Sequence, residues 1–149
     1  MEPAMPSDVK ERLISRSQPT LLAPSVYATD LTAAIDASDD PELVKAALHV
    51  LNDDIDRAHV IAQQNEGDST ADYWHAIIHR REGDYSNSKY WFGRVGNHPV
   101  ILEIHGSTAG ANAFVDRCRS VGGGRDVDVE AIQWREMLAL LAHSEVTAP

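Results

Sequence analysis

One cysteine, no long apolar run and a shortage of positive charge set the first limits on this 149-residue chain. Cys118 alone cannot staple a fold. Beside Phe114 and Val115 it reads as a small buried hydrophobe, and the default compartment is the reducing cytoplasm. No stretch of 18 apolar residues exists, so no membrane span is expected. The opening Met1-Glu2-Pro3-Ala4-Met5-Pro6 lacks a basic region followed by an apolar one, so no signal peptide is expected. With 13 Lys and Arg against 23 Asp and Glu, the net charge is −10. That balance argues against nucleic acid, whose phosphates require clustered cations. There is no Ser-His-Asp order, P-loop or dinucleotide fingerprint, and Gly122-Gly123-Gly124 lacks the strand-to-helix setting of a phosphate loop.

What remains is ordinary for a globular domain: 43% hydrophobic and 24% charged residues in a length that suits one domain, residues 1–149. The periodicity is helical throughout. Residues 1–25 form an arm with one short helix from Ser7, its N-cap, to Arg16. Pro19 and Pro24 hold the rest of the arm extended, and Leu13, Leu21 and Leu22 are its contacts to the body. Asp30 caps a short helix through Ile35. Asp40-Pro41-Glu42 reads as N-cap, N1 and first turn of a helix that buries Leu43, Val44, Ala47, Val50 and Leu51 and points His49 to solvent. Asn52-Asp53-Asp54 caps the next helix, which buries Ile55, Ala58, Ile61 and Ala62.

Ser69 or Thr70 caps a helix with Trp74, Ile77 and Ile78 as its apolar stripe, ended by Gly83. Tyr85 to Val95 follows, with Ser88, Trp91, Phe92 and Val95 facing inward, and Gly96 and Pro99 end it. Val100 to His105 is strand-like in composition, but with no partner strand it reads as a buried connector or short helix. Gly106 to Gly110 is a turn. Ala111, Phe114, Val115 and Cys118 mark a further helix, and the last runs from Val127 to His143 on Trp134, Met137, Leu138 and Leu141. Residues 144–149 should fray. The expected fold is all-α, stacked antiparallel helix pairs, about six or seven helices.

Residues 73–99 resemble a tetratricopeptide repeat, a helical hairpin with Trp in the first helix, Gly-x-Tyr at the turn, a small residue and an aromatic in the second, then Pro. Here these are Trp74, Gly83-Asp84-Tyr85, Ser88, Phe92 and Pro99, with Trp74 closer to Gly83 than the repeat prefers. The preceding pair has Ala58 in the small-residue slot but no glycine turn. Two degenerate copies imply stacked helix pairs, not a peptide-binding superhelix. The run Trp74 to Phe92 (WHAIIHRREGDYSNSKYWF) also resembles a signature of uncharacterised small microbial proteins. It extends back to Leu51–His59 and forward to Val95–Pro99, about a third of the chain. It implies a location for a site and no activity.

The chemistry concentrates in the same stretch. His75, His79 and Glu82 lie at i, i+4 and i+7, one stripe of a helix, and two histidines so spaced can share a metal, with the glutamate as third ligand or base. In an antiparallel stack His59 comes alongside, His98 and His105 return to the same end, and Asp53, Asp54 and Asp56 orient the imidazoles. Such a set suits zinc, iron or nickel. The metal candidates are therefore His59, His75, His79 and His98. A second reading starts from a weakly basic island in an acidic chain: Arg80, Arg81, Lys89 and Arg94 against Asp72, Glu82 and Asp84. Here Arg80, Arg81, Asp84, Asn87, Lys89 and Tyr90 bind a small anionic molecule or a protein partner. A third is that the polar cluster only pins helices together. An odd number of short helices with exposed aromatics is compatible with a homodimer.

Overall fold

The structure is a computed structural model that describes residues 6–147. Met1 to Met5 at the start of the expected arm, and Ala148 and Pro149 of the expected frayed tail, lie outside the described residues. The described chain is all-helical, with nine helices against the six or seven expected: α1 Pro6–Ile14, α2 Thr29–Ala37, α3 Glu42–Leu51, α4 Ile55–Gln64, α5 Ser69–Arg81, α6 Tyr85–Val95, α7 Pro99–Ile104, α8 Thr108–Val121 and α9 Val127–Thr147. None is long and apolar enough to cross a membrane.

Several helix starts differ from those expected. Helix α1 begins at Pro6, so Ser7 falls inside it. Helix α2 follows Ala28, which offers no side-chain cap, while Asp30 in its first turn pairs with Arg12. Helix α3 starts one residue late: Pro41 takes the cap position, and the Asp40 carboxylate accepts from Ser38 Oγ. Asp68, not Ser69 or Thr70, caps α5, accepting the amides of Thr70 and Ala71 at 2.9 and 3.0 Å. The strand-like Val100–Ile104 is helix α7, capped by His98 with Pro99 in its first turn. A lone β-branched run with no partner strand can satisfy its backbone only locally.

Helix α5 is the axis of the fold. It packs on α3, α4 and α6, and every residue from Thr70 to Arg81 is buried. The α3–α4 and α5–α6 corners share one geometry. Asp53 (φ 59°) and Gly83 (φ 86°) occupy equivalent left-handed positions. The following residues, Asp54 (φ −92°, ψ 74°) and Asp84 (φ −93°, ψ 74°), cap α4 and α6 in the same way. The glycine missing from the first corner is thus replaced by an aspartate, a residue that tolerates this conformation. Asp53 also pairs at 2.9 Å with both Arg16 and Arg81.

Three further placements depart from the sequence pattern. His49 is fully buried instead of solvated, with Nε2 2.9 Å from Asp36 Oδ1, and burial lowers its pKa. Helix α9 runs on through Thr147, and Ser144 is buried inside it, accepting the Trp74 indole N–H at 3.0 Å. Its inner face is also more polar than expected: Glu130, Gln133 and Glu136 are buried with Met137, Leu140 and Leu141, while Trp134 and Leu138 are half-buried. At the α7–α8 corner Gly110 lies in the first turn of α8, where any Cβ would run into the His105 carbonyl. Gly110→Ala is expected to cost about 1–3 kcal/mol through this overlap. Urea denaturation checks it, and an unchanged midpoint would show that the corner yields freely.

Candidate functional site

Because α5 is buried all round, its polar side chains must find partners inside the protein. Arg80 and Arg81 do so, which removes both from any ligand surface. Arg80 is 1% exposed. Its Nη2 donates to Glu136 Oε1 at 2.6 Å and Gln133 Oε1 at 3.3 Å, and its guanidinium lies 4.8 Å over the Phe114 ring. Glu136 also accepts from the Tyr73 hydroxyl at 2.8 Å and His105 Nε2 at 2.6 Å. Burial pushes this carboxyl up, but Arg80 and His105 outweigh it and hold the pKa down at about 2. Arg81, with no exposed surface, pairs with Asp53 and donates to the carbonyls of Leu21, Val50 and Thr20. It therefore ties residues 20–21 to the body.

The other anion-binding candidates are scattered. Lys89 pairs with Asp116 at 2.7 Å. Asp84 caps α6, and Tyr90 is exposed, accepting from Arg94 at 3.2 Å. Asn87 turns inward, its Nδ2 3.3 Å from both His79 Nε2 and Asp84 Oδ2.

The histidines do converge. His59 from α4 and His75 from α5 face each other, Nε2 to Nε2, at 3.0 Å. The His79 ring stacks on His75 at 4.8 Å between centroids, and His75 stacks on Trp91 of α6 at 3.9 Å. Ligand-capable atoms of His59, His75 and His79 all lie within 4.8 Å of one another. Glu82 Oε1 is 2.5 Å from His79 Nδ1. A carboxylate can only accept, so Nδ1 carries a proton, and in the neutral ring that leaves the lone pair on Nε2. Glu82 is therefore an orienting partner of His79. Burial, then the neighbouring His79 and His59, lower the pKa of His75 to about 4, so this ring is neutral.

His98 is not part of this cluster. As cap of α7 its Nδ1 accepts the Val100 amide, its Nε2 meets Thr70 Oγ1, and its ring faces Tyr73 and His143. His105 is held by Glu136. Asp53 and Asp54 do not orient the imidazoles either: the first serves Arg16 and Arg81, the second caps α4 and accepts from Thr32. Asp56 is exposed.

No family model matches this chain, and no curated protein or solved structure matches it. Geometry alone therefore bears on the site. Sequence reasoning missed Trp91 as the platform for His75, because an inward aromatic reads as core. It also missed Glu136, although Glu130, Gln133, Glu136, Leu140 and Ser144 recur at helical spacing along one face of α9.

Proposed function

We propose that this protein binds a divalent transition metal through His59, His75 and His79. The observation that carries the reading is the convergence of three imidazoles from α4 and α5, two of them 3.0 Å apart at their Nε2 atoms. Metal–imidazole bonds of about 2.0–2.1 Å separate two ligand nitrogens in a tetrahedron by roughly 3.4 Å, so the His59–His75 pair must open by a few tenths of an ångström and the His79 nitrogen, within 4.8 Å of both, must close in for the three to share an ion. Glu82 supports the same reading: a carboxylate on the far nitrogen of a ligating histidine fixes its tautomer and raises its basicity. A bound metal would supply Lewis acidity and a more acidic water, the basis of a hydrolase-type activity. In that chemistry His75 and His79 are ligands, and Glu82 is a positioning residue.

Metal analysis of protein purified without a histidine tag tests this. Near-stoichiometric zinc, nickel or iron is expected, lost in His75→Ala with His79→Ala. Glu82→Gln should weaken affinity by about 10–100-fold with the fold intact by circular dichroism. Substoichiometric metal that the double substitution leaves unchanged would overturn the proposal.

We take α3–α4 and α5–α6 as two degenerate tetratricopeptide-like pairs, supported by their matching corners at Asp53-Asp54 and Gly83-Asp84. The metal candidates then lie on the second helix of one pair and the first helix of the next.

A further inference from the structure

A small cavity of about 210 Å³ lies where the end of α7 meets α8 and α9. Drug-sized sites span roughly 300–1,000 Å³, so an occupant here is small. Gly110, Ala113, Phe114 and Arg117 recur at helical spacing and form one face of α8 along it, and Ile132 of α9 adds to the wall. No Asp or Glu lines it.

His105, at the C-terminal end of α7, lines the same cavity with a side chain that is 3% exposed. Its Nε2 donates to the Glu136 carboxylate at 2.6 Å, since that group can only accept. The neutral ring therefore carries its lone pair on Nδ1, a tautomer fixed by the carboxylate behind it. Nδ1 has no hydrogen-bond partner among the described residues, yet it is not sealed off as the unpaired nitrogens of His49 and His75 are. It is an acceptor held open to the cavity.

Arg117 supplies the complementary group. Helical Cα–Cβ bonds tilt toward the N-terminus, which directs its guanidinium over Ala113 and Phe114. The His105 ring lies 5.0 Å from that of Phe114, so the cation and the acceptor share one small space. Arg117 has no carboxylate partner among the described residues. An acceptor nitrogen, an unpaired guanidinium and apolar walls together specify a ligand with a hydroxyl beside a carboxylate.

We propose that this cavity binds a small 2-hydroxy acid, its hydroxyl donating to His105 Nδ1, its carboxylate paired with Arg117 and its apolar body against Phe114 and Ile132. The site shares no residue with the His59–His75–His79 cluster, so it stands or falls independently of the metal.

The test is an NMR titration of the full chain with mandelate, which carries hydroxyl, carboxylate and apolar ring. Phenylacetate, which lacks the hydroxyl, and benzyl alcohol, which lacks the carboxylate, are the controls. Mandelate is expected to give saturable amide shifts at Gly110, Ala113 and Ile132 and to move the His105 Nδ1 resonance. Phenylacetate should bind about fivefold to tenfold more weakly and leave Nδ1 unmoved, since it offers no donor. Arg117→Gln, at an exposed position, should weaken mandelate by a similar factor and leave benzyl alcohol unchanged. Equal binding of mandelate and phenylacetate, a stationary Nδ1 resonance, or an Arg117→Gln variant that binds as the wild type does would overturn the proposal. So would the absence of a saturable shift, or shifts confined to other faces.

Discussion

Replacing Glu136 by alanine is expected to destabilise the protein by about 3–5 kcal/mol, the cost of leaving one partner of a buried ion pair behind. Glu136 is fully buried and accepts from Arg80, His105 and Tyr73 together. Its loss strands the Arg80 guanidinium against Phe114, and that side chain has no slack, since its Nε and Nη1 are already buried without hydrogen-bond partners. Desolvating a cation without a counter-charge outweighs any gain in apolar packing. Replacing both members by methionine should recover most of the loss, because the pair's net worth is small once neither charge is stranded. Urea denaturation of the two single variants and the double variant measures this. A Glu136→Ala midpoint within about 1 kcal/mol of wild type would show that Arg80 relaxes to another partner.

The second large effect is on pH dependence. His98 is 2% exposed, and burial, then the nearby His143, lower its pKa from 6.5 to about 4. The folded state favours the neutral ring, so between these values the unfolded chain binds the additional proton. The contribution is therefore complete above pH about 6.5 and declines as the pH falls toward about 4, where roughly 3 kcal/mol has been lost. His98→Asn isolates it, since asparagine can still cap α7 but does not titrate. The difference in unfolding free energy between wild type and His98→Asn should shrink steadily from pH 7 to pH 4 in favour of the variant. A difference independent of pH would mean that His98 titrates normally in the folded protein.

Local structure was legible where one residue and its immediate neighbours decide it. Asp54 caps α4, Gly83 and Gly96 end helices with positive φ, and Ser88, Trp91, Phe92 and Val95 form the buried face of α6. Each follows from capping geometry or from 3.6-residue periodicity. The candidate site was legible in part. The i, i+4 spacing of His75 and His79 put them on one stripe, and their pairing with His59 needed only adjacent antiparallel helices. The expectation that His49 of α3 points to solvent failed, and Arg80 and Arg81 of α5 are held by partners inside the fold and not by a ligand, because the pattern alone gives each helix a wet face. Helix α5 has none, and periodicity does not say how many neighbours a helix has.

By itself the sequence determined the helical class and most helix boundaries to within a few residues, because these depend on backbone sterics, caps and local spacing. Tertiary structure decided what each polar group meets. Arg81 reaches carbonyls at positions 20 and 21, some 60 residues away in the chain. Glu136 arrives from α9 to neutralise Arg80, and His98 turns to Thr70 and away from the other imidazoles. Those pairings follow from the cost of burying a charge or an unsatisfied hydrogen-bonding group, and that cost exists only once distant segments have packed together. The run from Trp74 to Phe92 thus contributes two imidazoles to a candidate metal site, while its arginines bind the fold together.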